Sequence, residues 1–358
     1  MLRFEFQHPE LADGFSIRTR CGMESVETEL PGFAQMIEER IATPSVHTLR
    51  LSVTDRCNLR CRYCMPDDGI PKLRRSELLS LEGLAAAARV LCRHLPIDRI
   101  KLTGGEPLVR AGLPHLISEL AGIPGIREVS MTTNGTLLRK MVGDLKRSGL
   151  RRVNVSLDSL DPFRFAEITR GGSLANALDG ISAAMEADLQ PVKLNAVLRR
   201  STWRQDVPEL LHFASMRGLE IRFIELMRTG TERLWCEGEY IAAIEVERWL
   251  ADQVAVTTLV GHPRGPARGS IARWHGAEVR IGWITPQSRP FCSNCDRLRM
   301  DCRGRVFRCL MDERSFMFAE LLRTTDDETV INALTKYLRG KSAPVVMGRD
   351  YSMASIGG

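Results

Sequence analysis

From Thr48 onward the chain repeats one pattern, a short strand-like run followed by a longer stretch with helical character. The strand-like runs are Leu49–Val53, Arg99–Thr103, Glu128–Thr132, Arg152–Ser156, Val192–Val197 and Glu220–Ile224. Helical stretches are clearest at Leu81–His94, Leu137–Ser148, Ala175–Ala187 and Asp206–Met216. Strands that alternate with helices pair in parallel, because each helix carries the chain back across the sheet. Six such units fall short of the eight that close a β/α barrel. The expected fold class is α/β, an incomplete parallel β/α barrel over residues 46–237, with a smaller C-terminal α+β domain over 238–358. Active sites in this architecture sit at the carboxyl ends of the strands. Polar punctuation falls there six times. Cys57 follows strand one, Gly104-Gly105-Glu106-Pro107 strand two, Thr132-Thr133-Asn134-Gly135 strand three, and Ser156-Leu157-Asp158 strand four. Lys193 and Asn195 share a face of strand five, and Arg222, Glu225 and Met227 straddle the end of strand six. Each motif alone also reads as an ordinary tight turn; together they mark one rim.

The loop after the first strand reads Cys57-Asn58-Leu59-Arg60-Cys61-Arg62-Tyr63-Cys64. Three thiols at C-x3-C-x2-C spacing supply no fourth ligand, which suits a four-iron, four-sulfur cubane with one open iron. Ordinary ferredoxin clusters take four thiolates. Zinc is the alternative, but structural zinc sites close at four ligands, and neither His47 nor His94 stands at zinc-finger spacing. A second triplet, Cys292, Cys295 and Cys309, is spaced C-x2-C-x13-C. A zinc ribbon would need two C-x2-C pairs, yet Cys302 could add a fourth thiol, so zinc or a fully ligated cluster stays open there. Between these thiols lies Asp296-Arg297-Leu298-Arg299, where strand alternation points both arginines the same way. Such a pair suits phosphate oxygens, and equally a solvated charged strand.

At 358 residues the chain is long enough for two domains. Residues 1–45 form an N-terminal extension without assignment, in which Phe33–Ile41 could be one short helix. Past Glu237, Tyr240–Leu250 reads as a helix, Val254–Val260 and Ala277–Ile284 as strands, and Asp326–Leu338 as a helix with an acidic start and a basic end. No run approaches the roughly 18 apolar residues of a membrane span, and the first residues lack the apolar core of a signal peptide. The expected location is the cytoplasm. Ten cysteines in that reducing compartment are not a disulfide framework, so Cys21, Cys92, Cys236 and Cys302, outside the triplets, are expected as free thiols. The net charge of +6 suits a polyanionic small ligand. Basic residues are dispersed and aromatic content is 6%, so a nucleic-acid surface is not expected.

C-x3-C-x-Y-C after a strand resembles the signature of radical S-adenosylmethionine (SAM) enzymes. The longer string from Leu49 to Asn58, with Met65-Pro66 after the third thiol, is similar to the GTP 3′,8-cyclases of molybdenum-cofactor biosynthesis, which also share the Ile356-Gly357-Gly358 terminus. The resemblance implies a three-quarter barrel and two four-iron, four-sulfur (4Fe-4S) clusters, one on Cys57, Cys61 and Cys64, the other on Cys292, Cys295 and Cys309. Cys302 falls outside the pattern, in a hairpin that turns at Arg303-Gly304. Implied SAM contacts are Tyr63, Gly105, Ser156 and Met227; implied GTP contacts are Arg50, Lys101, Thr132, Lys193, Arg297 and Arg299, with Arg222 a further anion-contact candidate. Lys101 stands where the family usually has arginine, so a bidentate fork becomes a point charge. Glu39-Arg40-Ile41-Ala42-Thr43-Pro44 replaces the usual Asp…Gly-Arg element, and the Gly-Gly tail is implied to enter the site.

The implied reaction takes hydrogen from C3′ of the GTP ribose and joins C3′ to C8 of the guanine, giving (8S)-3′,8-cyclo-7,8-dihydroguanosine 5′-triphosphate. It demands no acid–base pair, in keeping with the lack of any triad or paired-carboxylate signature, and no catalytic side chain is named. Implied partners are an external electron donor and a downstream cyclic pyranopterin-forming enzyme; a homodimer is left open. Two other readings stand beside this one. The first is a related radical SAM enzyme on another substrate, a paralogue or a peptide-modifying maturase with auxiliary clusters, although maturases typically carry more C-terminal cysteines. The second is a non-enzymatic iron–sulfur or zinc protein that binds nucleic acid or senses redox state.

Overall fold

A computed structural model describes residues 16–21, 24–29, 46–227, 238–259, 265–312, 314–339 and 341, the first two segments as backbone. The expected helix at Phe33–Ile41 and the Gly-Gly tail lie outside the described residues. The chain divides into two compact units, residues 1–44 and 45–358. Of the first, one antiparallel pair is described, β1 (Ser16–Cys21) with β2 (Glu24–Glu29), which the sequence reading left unassigned.

The second unit is built on an 11-stranded sheet. Its centre is six strands in sequence order, all parallel: β3 (Thr48–Ser52), β4 (Arg99–Thr103), β5 (Glu128–Thr133), β6 (Leu150–Ser156), β7 (Lys193–Leu198) and β8 (Glu220–Glu225). The C-terminal part of the chain lengthens this sheet at both edges. On one side β11 (Ala277–Ile284) pairs parallel with β8, followed by β10 (Arg268–Trp274) and β9 (Val256–Thr258), both antiparallel. On the other side β12 (Arg297–Met300) pairs parallel with β3, and β13 (Val306–Phe307) closes a hairpin onto it. The order ends at β13 and β9, so hydrogen bonds do not close the sheet, as an incomplete barrel requires.

Strand alternation explains which face meets the helices. Leu49, Leu51, Ile100, Leu102, Val153, Val155, Ile221, Phe223, Leu298 and Met300 point one way and are buried in a single core with the helices. These helices are α1 (Leu81–His94), α2 (Leu113–Ala121), α3 (Leu138–Arg147), α4 (Pro162–Thr169), α5 (Leu174–Glu186), α6 (Trp203–Met216), α7 (Ala243–Gln253), α8 (Phe318–Leu321) and α9 (Asp327–Leu338). Short polar side chains start several of them. Ser80, Asp161, Ser173 and Asp326 each accept a backbone N–H from the first turn of the following helix, satisfying a donor that helix geometry leaves open.

The helix expected at Tyr240–Leu250 instead runs from Ala243 to Gln253, because a distant side chain supplies its cap. Glu225, fully buried at the end of β8, accepts Ala243 N at 3.0 Å, Gln287 N at 3.1 Å and Ser288 N at 2.9 Å, together with the Ser288 hydroxyl. Its carboxylate therefore ties β8, α7 and the loop after β11 together, rather than facing the rim. Beyond it, Met227 packs with Cys309 against Phe307, Leu310 and Met311.

Candidate active site

The first cysteine loop leaves the carboxyl end of β3 and is held from several sides by backbone. Gly105 N donates to Thr54 O at 2.8 Å and Glu106 N to Arg56 O at 2.8 Å. The loop passes so close to Gly105 that a Cβ there would stand 2.3 Å from Arg56 O. Arg60 N and Arg62 N donate to Thr169 O and Ile168 O at the end of α4 (3.1 and 2.9 Å), and Arg170 Nη1 reaches Arg60 O and Met65 O, both at 2.9 Å. Asn58 joins Asn134 and Thr136 in a hydrogen-bonded triangle at the end of β5. The Gly-Gly-Glu-Pro and Thr-Thr-Asn-Gly turns are thus the bed on which the cysteine loop lies.

Glu106 completes that bed. Its buried carboxylate accepts Thr133 Oγ1 at 2.7 Å, Asn134 N at 2.7 Å and Leu108 N at 3.0 Å, while burial pushes its pKa up to about 7. Tyr63 donates its hydroxyl to Asp158 Oδ2 at 2.8 Å, and Asp158 Oδ1 accepts Val197 N at 2.8 Å. Burial raises the pKa of the Cys61 thiol, and the neighbouring Cys64, Asp158 and Cys57 raise it further. The same burial brings the Cys57 thiol up to about 11. Thiols that depress one another's ionisation face a common space, and a cationic iron group is what would neutralise them. Among the described residues no three His, Cys, Asp or Glu side chains converge on a point as a single ion needs.

The second triplet lies at the other end of the strands. Asp296, next to Cys295, accepts His47 N and Thr48 N on its carbonyl (2.9 and 3.0 Å), and its carboxylate takes Arg99 Nη2 at 2.7 Å. β12 then runs beside β3 with Arg297 opposite Thr48 and Arg299 opposite Arg50. Cys295 is thus level with the start of β3, and Cys57 follows its end. Burial raises the Cys295 thiol, but Arg297 and Lys341 outweigh it and bring the pKa down to about 7. Lys341 Nζ donates to Cys295 Sγ at 3.4 Å, a contact with no signal in the sequence beyond a polar Arg-Gly-Lys-Ser stretch. Cys302 is buried in the β12–β13 turn, its thiol pushed up to about 12 by burial and by Asp301 and Asp55. It stands apart from the triplet, as its sequence position implied. Cys92 and Cys302 are free thiols; Cys21 and Cys236 have no described side chains.

Between the two ends, the face of the sheet opposite the helices is polar. Adjacent strands place Arg299, Arg50, Lys101, Ser130 and Arg152 in one lateral row, and Thr132, Asn154, Lys193 and Glu220 in the next. A third row holds Ser156, Asn195 and Arg222, with Gly282 opposite Arg222. Any Cβ at Gly282 would sit 2.9 Å from Arg222 Cγ, so the glycine makes room for that arginine. Burial and the charges of Arg50, Arg222 and Arg152 hold Lys101 well below the usual lysine range. Burial, Arg299 and Arg297 act likewise on Arg50. Two carboxylates offset part of this field. Glu220 takes Lys193 Nζ at 2.6 Å and Arg222 Nε at 2.7 Å, and Glu128 takes Arg152 Nε at 2.9 Å. Cations that repel one another inside a partly desolvated cavity are stabilised by a polyanion. Asn195 Oδ1 is buried without a hydrogen-bond partner among the described residues, in the row of Ser156.

The structure therefore brings Arg50, Lys101, Thr132, Lys193, Arg297 and Arg299, the residues named from the resemblance, onto one face, and adds Arg152 and Asn154. Ser156 joins that face at its upper end, and Tyr63 and Gly105 sit at the cysteine loop. Met227 packs against the same apolar cluster as Cys309.

Residues 51–214 match the Radical SAM superfamily, and residues 219–345 match the Molybdenum Cofactor Synthesis C family. An iron–sulfur cluster and SAM come with that superfamily. Similar proteins include the GTP 3′,8-cyclase of Pelotomaculum thermopropionicum, 42% identical over 78% of this chain and 85% of its own length. GTP 3′,8-cyclase 1 of Pseudomonas aeruginosa is 42% identical over 82% of this chain and 89% of its own length. The chain belongs to the GTP 3′,8-cyclase family. Among solved structures, Streptococcus suis SuiB bound to S-adenosylmethionine shares the fold, with a TM-score of 0.59 at 13% identity over 80% of this chain and 66% of that one. No helix among the described residues is long and apolar enough to cross a membrane.

Proposed function

We propose that this chain is a cytoplasmic GTP 3′,8-cyclase that converts GTP to (8S)-3′,8-cyclo-7,8-dihydroguanosine 5′-triphosphate in the first step of molybdenum-cofactor biosynthesis. The observation that carries the proposal is the cationic face lying between two cysteine triplets at opposite ends of β3 and β12. Cys57, Cys61 and Cys64 would hold the cluster that works with SAM, and Cys292, Cys295 and Cys309 a second 4Fe-4S cluster. Given one electron from an external reductant, the first cluster and bound SAM would supply 5′-deoxyadenosyl radical chemistry, with methionine as the leaving group.

The chain's own residues bind, orient and shield. Arg50, Lys101, Lys193, Arg222, Arg297 and Arg299 neutralise the triphosphate, and Thr132 gives it a hydroxyl partner. Arg297 and Arg299 can grip phosphate oxygens in a planar fork, whereas Lys101 offers a point charge. Tyr63, Gly105 and Ser156 lie along the proposed SAM side, with Tyr63 held in place by Asp158, whereas Met227, implied there as well, packs against the Phe307, Leu310 and Met311 cluster that Cys309 joins. Strands position these groups, so the two carbons to be joined are held together before any radical forms, and the C–H and S–H groups of the protein are kept away from a species that would take their hydrogen. An external reductant supplies the electron, and a pyranopterin-forming enzyme takes the product.

Anaerobic reconstitution with iron, sulfide, SAM, reductant and GTP tests the proposal. Both 5′-deoxyadenosine and a cyclised GTP product are expected. Cys57→Ala should abolish both, whereas Cys309→Ala should lower cyclised product more than 5′-deoxyadenosine. Cofactor cleavage with no GTP-derived product would point to another substrate, and no cleavage at all under reducing conditions would refute the enzyme.

A further inference from the structure

Lys341 stands just beyond α9 and is 5% exposed, a rare setting for an ammonium group. Its Nζ donates to Cys295 Sγ at 3.4 Å and to the Arg308 carbonyl at 3.0 Å, and Cys309 lies near enough to feel its charge. The Arg308 carbonyl fixes the ammonium in place beside the Cys295 sulfur. Arg297 adds a second positive charge beside Cys295. The first triplet has the opposite surroundings, with Glu106 near Cys57 and Asp158 near Cys61. A cluster becomes more negative when it takes up an electron. Hydrogen-bond donors and cations at its sulfurs favour that reduced form, and carboxylates oppose it.

We propose that Lys341 is a positioning residue of the second triplet that, through its N–H···S contact with Cys295, raises the reduction potential of the iron–sulfur cluster bound there. The inference rests on the reading that Cys292, Cys295 and Cys309 hold a cluster. It biases the second site toward its reduced form through a side chain rather than through a change of ligand.

The test uses the full chain carrying Cys57→Ala, Cys61→Ala and Cys64→Ala, so that only the second site loads iron. Iron content and an EPR-monitored redox titration are compared for Lys341, Lys341→Arg, Lys341→Gln and Lys341→Met. Iron content should hold across the series while the midpoint of Lys341→Met becomes more negative. At the potential where the Lys341 protein is half reduced, its reduced-to-oxidised ratio should fall about tenfold, equivalent to 59 mV for a one-electron couple. Lys341→Gln, which keeps a donor without the charge, should lie between, and Lys341→Arg should stay close to the starting protein. An unchanged midpoint in Lys341→Met with iron intact overturns the proposal. Loss of iron in every variant, arginine included, overturns it as well, since Lys341 would then only hold the fold. No iron in the protein that retains Lys341 refutes the second cluster itself.

Discussion

Replacing Gly105 by alanine separates a backbone-packing role for the Gly-Gly-Glu-Pro turn from a purely ligand-facing one. An added Cβ would meet Arg56 O at 2.3 Å, Arg56 C at 2.6 Å and Cys57 N at 3.0 Å, all main-chain atoms that cannot rotate aside. Restoring ordinary contact, near about 3.5 Å between carbon-sized atoms, needs a loop shift of about 1 Å. Overpacking of this kind costs about 1–3 kcal/mol. The same shift stretches the bonds from Gly105 N to Thr54 O and from Glu106 N to Arg56 O, each contributing about 0.5–1.5 kcal/mol. A total of about 2–6 kcal/mol is expected in urea unfolding of the cluster-free protein. Because the moved atoms include Cys57 N, iron retained at the first triplet after anaerobic reconstitution should also fall. Gly83 is the control. It lies in the first turn of α1, where a Cβ would find nothing nearer than 3.5 Å, so Gly83→Ala should be neutral or stabilising by up to about 1 kcal/mol. If Gly105→Ala unfolds at the same urea concentration as the native chain and keeps its iron, the cysteine loop does not rest on this turn.

Two further outcomes follow from the carboxylates. Glu220 neutralises Lys193 and Arg222 while no phosphate is bound, so Glu220→Gln should tighten GTP binding to the cluster-free protein, measured by equilibrium dialysis at fixed ionic strength. Unit charges 4 Å apart interact by about 1–4 kcal/mol, and a phosphate at about twice that distance feels about half, which corresponds to a gain of about 2- to 30-fold; weaker binding would show instead that Glu220 orients the two cations. Glu106 has a folded pKa of about 7, above its ordinary 4.5, so across that window the folded chain holds a proton that the unfolded chain has released. Stability from this group is full below about pH 4.5 and lost as pH rises through about 7, a change of about 3 kcal/mol at most. The fall should flatten in Glu106→Gln when the two proteins are unfolded in denaturant at several pH values, and an identical pH profile would contradict it.

Much of the barrel was legible because parallel strands buried against helices leave a strong local signature. The run at Arg99–Thr103 and the helix at Leu81–His94 coincide with β4 and α1, and the other strand bounds move by a residue or two. The alternation that put Lys193 beside Asn195, and Arg297 beside Arg299, also held. Long-range pairing left no such mark. Nothing local tells Ala277–Ile284 to join β8, or Arg297–Met300 to join β3, forty or more residues from the strand edges they extend. Glu225 reads as a rim residue from its place at a strand end, yet its carboxylate caps a helix in a later segment. Lys341 sits in a stretch that looks like a polar turn, and its partners arrive from two separate loops.

The register of β12 on β3 also makes that strand pair a ruler. Asp296 is pinned level with His47, one residue before the Arg297–Thr48 pair, and the other cysteine loop departs after Ser52. At about 3.3 Å per residue, the levels from which the two loops spring are at least about 13 Å apart along the strands. Ligands that together engage both ends must span that distance and set anionic groups against the cationic face between them. That length filter is set by main-chain spacing, so side-chain changes on the cationic face can tune grip without altering reach.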